Sequence, residues 1–220
     1  MAKHVGVLLS GCGVMDGSEI HEAVLTLLAI DNAGAEAVCM APNANQVDVV
    51  DHVTGQSVAG QRRNILEEAA RIARGKIRDL ATVKAANLNA LVIPGGYGAA
   101  KNLCTYATDG VNCKVNPEVA RLVREMRGAG KPIAAICIAP VALTKILGKD
   151  VSPTVTIGND PGTASDIRKL GGQHVNCNAK DCVVDKANKI VTTPAYMLAQ
   201  SIGEAAAGIE KTIRALLEMA

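Results

Sequence analysis

One stretch of the chain decides the fold: residues 131–140, with the sequence KPIAAICIAP. The apolar run Ile133–Ile136 predicts a short buried strand. The residues after Cys137 predict a helix with Pro140 in its first turn, where the missing proline N–H is harmless. Cys137 is therefore expected at a sharp turn between a strand and a helix. Such a turn directs free backbone N–H groups and a helix dipole at the side chain, which favours a thiolate nucleophile.

Strands and helices are predicted to alternate along most of the chain. Hydrophobic periodicity and turn residues predict strands at 5–9, 35–40, 88–93, 133–136, 154–157 and 174–176, and hairpins at 46–58 and 182–193. Helices are expected from about 16–18 to 33–34, and at 64–74, 117–128, 138–147, 163–170 and 198–217. This order predicts an α/β fold with a mostly parallel, doubly wound sheet and added β-hairpins. No linker, repeat or low-complexity run divides the sequence, so we expect a single domain over residues 1–220.

Composition and charge narrow the class of function. The formal net charge is +2, and the basic residues are dispersed, so we expect neither a nucleic-acid nor a membrane partner. The N-terminal sequence shows no secretory signal pattern, which predicts a soluble protein in the cytoplasm. The seven cysteines include no C-x-x-C pair, so we expect free thiols in a reducing compartment and no metal site.

Aromatic residues are almost absent from the sequence. The chain contains no Phe and no Trp, and its three tyrosines are Tyr97, Tyr106 and Tyr196. The core must therefore be aliphatic, with methionine filling some of the space that aromatic rings often fill. The same scarcity makes a base-stacking platform for single-stranded nucleic acid an unsuitable interpretation.

Gly95 and Gly96 follow the predicted strand at 88–93. Ligands of parallel sheets bind beyond the carboxyl ends of the strands, so we expect these glycines close to Cys137. Backbone N–H groups that no side chain obstructs can donate to a developing oxyanion. We therefore predict an oxyanion hole formed by this turn and the N–H of Ile138. The alternative is that the glycines only permit a tight turn.

Two carboxylates of the first helix, Glu22 and Glu19, are candidates for a general acid/base. A carboxyl group beside a thiol shares one proton with it, and burial raises the pKa of the carboxyl group. The alternative is that both are exposed and only stabilise the start of the helix. The residues alone do not choose between Glu22 and Glu19.

Three further residues are weaker candidates for the site. Cys12 lies in the turn after the first strand, His21 adjoins Glu22, and Asn102 follows the glycine turn. Cys12 and His21 could line a cavity, and Asn102 could bind a carbonyl or carboxylate group. Each also has a structural alternative, as a small packing residue, a surface histidine or part of a solvated helix end.

Four longer motifs resemble the ElbB family. They are SGCG with DGSEIHE (10–13 and 16–22), PGGYGAAKNL (94–103), CIAP (137–140) and VTTPAYM (191–197). This family belongs to the class I glutamine amidotransferase-like group, beside the PfpI-type proteins, and the resemblance covers nearly the whole chain. It implies a flavodoxin-like three-layer sandwich that usually forms a homodimer.

The same resemblance implies roles for individual residues. Cys137 corresponds to the nucleophile, Gly96 and Ile138 supply the oxyanion donors, and Glu22 rather than Glu19 is the acid. ElbB-like proteins are associated with a glyoxalase activity, glyoxal to glycolate, that needs no cofactor, and no metal or glutathione is implied. Some are named as isoprenoid-biosynthesis proteins. The partner implied is a small reactive dicarbonyl substrate.

We therefore predict a glyoxalase that converts glyoxal or methylglyoxal to the hydroxy acid through a Cys137 hemithioacetal. A redox-responsive or chaperone-like protein with a reactive cysteine is the first alternative. A glutamine amidotransferase subunit is the second. True amidotransferases pair their cysteine with a later His and Glu, whereas His174 is the only histidine after Cys137 and lies outside any H-x-E pattern.

Overall fold

The structure, a computed structural model, describes residues 2–220. Its strands are β1 (His4–Leu8), β2 (Glu36–Ala41), β3 (Val50–Asp51), β4 (Gln56–Ser57), β5 (Ile77–Asp79), β6 (Ala90–Ile93), β7 (Ile133–Ile136), β8 (Thr154–Val155), β9 (Gln173–His174), β10 (Val183–Asp185) and β11 (Ile190–Thr193). Its α-helices are α1 (Ile20–Asn32), α2 (Ile65–Ile72), α3 (Tyr97–Lys101), α4 (Tyr106–Asp109), α5 (Pro117–Gly128), α6 (Ala139–Val151), α7 (Pro161–Lys169) and α8 (Ile202–Glu218). Short 3₁₀ helices span Leu80–Thr82, Ala85–Asn87, Gly110–Asn112 and Ala195–Met197.

The central sheet has seven strands in the order β10-β11-β7-β6-β1-β2-β5. The strand pairs from β11 to β5 are parallel, and β10 pairs antiparallel with β11 at one edge. Every residue of β6, β7 and β11 is buried, as is typical of parallel strands that helices cover on both faces. The predicted α/β fold with a mostly parallel, doubly wound sheet is confirmed.

Helices cover the two faces of the sheet and make the fold a three-layer sandwich. On one face, Leu91 and Ile93 of β6 belong to the same apolar cluster as α5, α6 and α7. On the other face, Ala90 and Val92 belong to the cluster that contains α1, α2 and α8. The alternation along β6 follows from the two-residue period of a strand. Both clusters are aliphatic, as the composition predicts.

The two predicted hairpins have different places in the fold. The first, β3–β4, forms a small separate antiparallel sheet. The second, β10–β11, belongs to the central sheet, because β11 pairs in parallel with β7. The predicted strand at 154–157 shortens to β8, which pairs with β9 outside the central sheet.

Helix α1 begins later than the sequence predicted. Its N-cap is Glu19, and the first helical residue is Ile20. The expected start near Asp16 is wrong because that carboxylate is used elsewhere: its Oδ2 accepts a hydrogen bond of 2.8 Å from the N–H of Val50. Residues 11–17 instead form a turn that packs against the start of α3. Edge strand β5 was not predicted.

The parallel order brings four loops to one end of the sheet. Strands β11, β7, β6 and β1 are neighbours, so the segments after their carboxyl ends lie side by side. These segments contain residues 194–197, 137–138, 94–98 and 9–18. No helix within residues 2–220 has the length and hydrophobicity that a membrane span requires.

Candidate active site

Cys137 occupies the turn between β7 and α6. Its φ is +62°, an uncommon conformation for a residue with a side chain, and its own N–H donates to the carbonyl of Thr193 at 2.9 Å. Helix α6 begins two residues later, with Pro140 in its first turn. The packing of β7, β11 and α6 holds this strained turn, as is typical of functional sites. The side chain is only 8% exposed.

Two backbone N–H groups, those of Gly96 and Ile138, lie beside the Cys137 sulfur and lower the pKa of its thiol. Gly96 has a φ of +95° and is the N-cap of α3, and a Cβ there would overlap the backbone of Gly17 and Glu19. Only glycine allows the two loops to approach so closely. The donors that the sequence predicted for an oxyanion therefore converge on the sulfur.

Glu22 is fully buried and lies beside the thiol. Its Oε2 accepts from the N–H of Gly95 at 3.0 Å, its Oε1 accepts from the N–H of Tyr196 at 3.2 Å, and the carboxyl group hydrogen-bonds to Cys137. Gly95 makes this meeting sterically feasible. A Cβ at that position would overlap the Cβ of Cys137 and lie 2.6 Å from Glu22 Oε2.

Burial raises the pKa of Glu22 to about 8. The charge of the nearby Glu19 adds to this rise. Hydrogen bonds from the N–H groups of Tyr196 and Gly95, and the contact with Cys137, act in the opposite direction without cancelling it. Glu22 therefore keeps its proton at neutral pH.

Burial also raises the pKa of the Cys137 thiol, and the negative charge of an ionised Glu22 raises it further. The hydrogen bonds from Gly96 and Ile138 lower the pKa and offset part of this rise. The expectation of a ready-made thiolate is wrong for this environment, because desolvation outweighs the backbone donors. The thiol and the carboxyl group instead form a coupled pair that loses its protons in two shared steps.

Glu19 has a different place from Glu22. Its Oε2 accepts from the N–H of Glu22 at 2.7 Å and so caps α1. It lines the mouth of the site, whereas Glu22 contacts the sulfur. Of the two carboxylates that the sequence left open, Glu22 is the one placed to exchange a proton with Cys137.

A cavity of about 380 Å³ opens in front of the sulfur, and we call it the Cys137 cavity. Its walls come from α3, α4, α7, the turn between β7 and α6, the turn before α1 and the 3₁₀ helix Ala195–Met197. The lining residues are mostly apolar and include every tyrosine of the chain: Val14, Glu19, Gly96, Tyr97, Ala100, Tyr106, Ala107, Cys137, Ile138, Thr163, Tyr196 and Met197.

Five predicted site residues do not line this cavity: Glu22 and Gly95, which lie against Cys137 inside the fold, and Cys12, Asn102 and His21. Cys12 lies near charged residues of α2, and burial raises the pKa of its thiol. Asn102 is used inside the fold: its amide donates to the carbonyls of Ser10 and Asp16 at 2.8 Å, and its Oδ1 accepts from the N–H of Val47. His21 is exposed, and its Nδ1 lies 2.8 Å from the Tyr196 hydroxyl. Asn102 therefore fixes the loops, and His21 lies behind the cavity wall.

Sequence reasoning missed the aromatic wall. Tyr97, Tyr106 and Tyr196 lie far apart in the sequence, and no motif connects them. One signal could have found two of them. Tyr97 and Tyr196 each follow the end of a predicted strand, where ligands of parallel sheets bind. The Tyr196 N–H, which holds Glu22, follows β11 at the same sheet edge as Cys137.

This fold and residue arrangement define the class of protein. Residues 12–199 match the DJ-1/PfpI family, and the chain belongs to that family, with its class I glutamine amidotransferase-like fold. A human relative, glutamine amidotransferase-like class 1 domain-containing protein 3, mitochondrial, is 46% identical over 99% of this chain and 84% of its own length. A rat relative, ES1 protein homolog, mitochondrial, is 45% identical over 98% of this chain and 83% of its own length.

Solved structures agree with the family. The isoprenoid biosynthesis protein with amidotransferase-like domain from Ehrlichia chaffeensis has 42% sequence identity and a TM-score of 0.93, with 99% of each chain covered. Drosophila melanogaster DJ-1beta, at 22% identity and a TM-score of 0.55, covers all of this chain and 98% of its own, and supports the fold alone.

Proposed function

We propose that this chain is an ElbB-like glyoxalase that converts glyoxal or methylglyoxal to the corresponding hydroxy acid without a cofactor or glutathione. One observation carries the proposal: the Cys137 thiol lies beside the Glu22 carboxyl group and the N–H groups of Gly96 and Ile138, close enough for all three to shift its pKa. A nucleophile and two oxyanion donors thus meet at one end of a cavity, with the proton carrier Glu22 buried directly beside the nucleophile.

In the first step, the Cys137 sulfur adds to the aldehyde carbon of the substrate. Because the pKa of Glu22 is about 8, this step starts from the minority of molecules in which Glu22 is ionised near neutral pH. That carboxylate takes the thiol proton as the S–C bond forms, so no preformed thiolate is needed. The N–H groups of Gly96 and Ile138 stabilise the oxyanion that develops on the former aldehyde oxygen. Return of the proton from Glu22 to this oxygen gives a neutral hemithioacetal.

In the second step, Glu22 moves a proton between adjacent carbons. It removes the hydrogen of the carbon bonded to sulfur and gives that proton to the neighbouring carbonyl oxygen, which forms an enediol. It then takes the proton of the hydroxyl group on the first carbon and delivers it to the second carbon. The first carbon becomes a thioester carbonyl, and the second becomes a hydroxyl-bearing carbon. One carbon is oxidised and the other is reduced, so no external oxidant or reductant is required.

Water then attacks the thioester. The C–S bond breaks, the sulfur takes up a proton, and the hydroxy acid leaves. The overall reaction consumes one dicarbonyl and one water. The raised pKa of Glu22, about 8, suits a group that must both accept and return protons near neutral pH.

The test is the conversion of glyoxal to glycolate by purified protein, with the product quantified by chromatography. We expect turnover by the wild-type protein and by Cys177→Ser, a matched control because Cys177 lies outside the cavity lining. Cys137→Ser and Glu22→Gln should each lose at least about 100-fold in kcat/KM. Equal rates for the wild-type and Cys137→Ser proteins would end the proposal.

The alternatives have less support from the site. Oxidation of cysteine follows thiolate character and exposure, whereas Cys137 is buried and its pKa is raised. Peroxide treatment followed by intact mass measurement tests the redox-responsive hypothesis. Selective oxidation at Cys137 without aldehyde turnover would favour it over an enzyme. The amidotransferase reading needs a histidine beside the sulfur, whereas the Nε2 of His174 accepts from the N–H of Ile157.

Two further expectations remain proposals. The predicted homodimer is supported by α1, where Ile20, Val24 and Leu28 expose 43%, 48% and 51% of their surface along one side. Light scattering of wild-type protein and Val24→Asp tests it, and a monomeric wild type contradicts it. We also propose a cytoplasmic location, although the human and rat relatives are named mitochondrial. Recovery of the protein in the mitochondrial fraction of cells would contradict this.

A further inference from the structure

We propose that the Cys137 cavity selects uncharged α-oxoaldehydes that carry an apolar alkyl or aryl group, in preference to glyoxal itself. This inference rests on the proposed glyoxalase function for its chemistry. It rests on the walls of the cavity for its selectivity.

The first argument is the distribution of aromatic rings. Tyr97 comes from α3, Tyr106 from α4 and Tyr196 from the 3₁₀ helix Ala195–Met197, yet all three line one cavity. The chain has no other aromatic residue of the Phe, Trp or Tyr type. The fully buried members of both core clusters are aliphatic, and Tyr106 alone of the three packs partly against one of them. The aromatic rings are therefore concentrated where a ligand would lie. Aromatic walls with few polar groups are typical of sites for apolar ligands.

The second argument is charge. The lining contains neither Lys nor Arg, and its one carboxylate with access to the mouth is Glu19. The nearest cation that faces a wall is Lys101, whose Nζ lies 5.8 Å from the centre of the Tyr97 ring. That ammonium group is held by Asp48 at 2.9 Å and by the carbonyl of Met15 at 3.0 Å. Within residues 2–220, no Lys or Arg of the cavity lining is available to compensate a carboxylate or phosphate group, and burying an unpaired anion is unfavourable.

The third argument is size. A volume of about 380 Å³ falls in the range of about 300–1,000 Å³ that is typical of ligand cavities. Glyoxal would fill a small part of it and leave most of the apolar wall in contact with water. With its aldehyde carbon at the sulfur, a bulkier substrate would extend over Val14, Ala100 and Met197. Removal of this surface from water supplies binding energy that glyoxal lacks.

Turnover of four substrates by the wild-type protein tests the selectivity: glyoxal, methylglyoxal, phenylglyoxal and 4-carboxyphenylglyoxal. We expect kcat/KM for phenylglyoxal to exceed that for glyoxal about tenfold or more, with methylglyoxal between them. The carboxylated analogue should fall at least about tenfold below phenylglyoxal. A preference for glyoxal, or equal rates for the two aryl compounds, overturns the inference.

A variant of the wall sharpens this test. Tyr97→Ala removes a ring that is 57% exposed, so folding should tolerate it, and we expect the phenylglyoxal-to-glyoxal ratio to fall about fivefold. Ile202→Ala is the matched control, because Ile202 is 51% exposed on α8 and lies outside the cavity lining. An unchanged ratio in Tyr97→Ala contradicts the assignment of this wall to substrate binding.

A binding measurement separates failure of this inference from failure of the glyoxalase proposal. Because the chain lacks Trp and its tyrosines all line the cavity, tyrosine fluorescence reports on this site. Cys137→Ser protein is titrated with cyclohexyl methyl ketone and with cyclohexanecarboxylate. We expect the ketone to bind at least about tenfold more tightly than the anion. If the ketone binds but no dicarbonyl is turned over, the ligand class holds and the glyoxalase proposal fails; equal affinities overturn the ligand class, whatever the turnover.

Discussion

Two buried thiols of this molecule, Cys137 and Cys104, have similar burial and different surroundings. Cys104 is 3% exposed, and burial raises the pKa of its thiol to about 12. Its sulfur donates to the carbonyl of Ala99 at 3.4 Å, inside an aliphatic cluster. Cys137 is 8% exposed, and burial raises its pKa too. Burial alone therefore does not separate a structural thiol from a reactive one.

The groups that surround each sulfur distinguish Cys137 from Cys104. Cys137 contacts a carboxyl group that can take its proton, receives two backbone N–H donors and borders a cavity. Cys104 has a carbonyl acceptor and the neighbouring Cys113 thiol, but no carboxyl group among the groups that shift its pKa. A buried thiol becomes a nucleophile when a base is positioned to deprotonate it during attack.

The largest effect is expected from a substitution that separates the Cys137 thiol from the Glu22 carboxyl group. Gly95→Ala places a Cβ against Cys137 and Glu22, so these side chains must separate. We expect glyoxal turnover to fall about 1,000-fold, because a displaced base no longer reaches the thiol. Gly128→Ala is the control, since a Cβ there meets open space. Turnover by Gly95→Ala within about tenfold of wild type would refute the role of this contact.

The second effect is the pH dependence of the free energy of unfolding that the buried Glu22 causes. The pKa of Glu22 is about 8 in the folded protein, against an ordinary glutamate value of 4.5, so the folded state holds the proton more tightly. Its contribution to stability is complete below about pH 4.5 and is lost as the pH rises to about 8. At 1.36 kcal/mol per pH unit, the loss is roughly 5 kcal/mol.

Glu22→Gln carries no such charge, so above pH 8 it should be more stable than wild type. We expect a gain of about 3 kcal/mol, because the amide loses one of the two backbone hydrogen bonds. Urea unfolding at pH 5 and pH 9 measures the difference. At pH 5 the wild type keeps most of the Glu22 contribution, so the variant should be about 1 kcal/mol less stable than wild type. A gain of the same size at both pH values contradicts the raised pKa.

The third effect tests the structural thiol. Cys104→Ser buries a hydroxyl group among aliphatic side chains and should cost about 1–2 kcal/mol of unfolding free energy. Glyoxal turnover per folded molecule should stay within about threefold of wild type. If Cys104→Ser abolishes turnover in folded protein, the contrast between the two thiols is lost.

The smallest effect concerns what holds Glu22. Tyr196→Phe removes the hydroxyl group that binds His21 but keeps the backbone N–H that binds Glu22. We expect kcat for glyoxal to change less than about twofold, as measured in the same assay. A loss above about tenfold would assign the hydroxyl group a part in catalysis.

The sequence predicted those parts of the fold that depend on local signals. Helix α5 lies at the predicted Pro117–Gly128. Proline marks its first turn, and glycine marks its end. The turn at Cys137 likewise follows from an apolar strand and a proline. The start of α1 depends on a distant contact between Asp16 and Val50, which no local pattern reveals. Strand β5 is a three-residue edge strand whose pattern is too short to recognise.

The sequence predicted which residues form the site, but it did not predict the pKa of the Cys137 thiol. The motifs placed Cys137, Glu22, Gly96 and Ile138 together, and the structure brings these four into contact. The pKa of the thiol depends on desolvation, which is a property of tertiary packing and is absent from the sequence. Asn102, a weaker candidate for ligand binding, instead binds two loop carbonyls, and these hydrogen bonds arise only in the folded chain.

The central claim is that the Cys137 sulfur and the Glu22 carboxyl group titrate as one pair. The most direct test is the rate of iodoacetamide alkylation of Cys137 between about pH 5 and about pH 10, read by peptide mass in wild type and Glu22→Gln. The account predicts a step near pH 8 in the wild-type protein, where Glu22 ionises, and its loss in the variant. Identical profiles for the two proteins would contradict it.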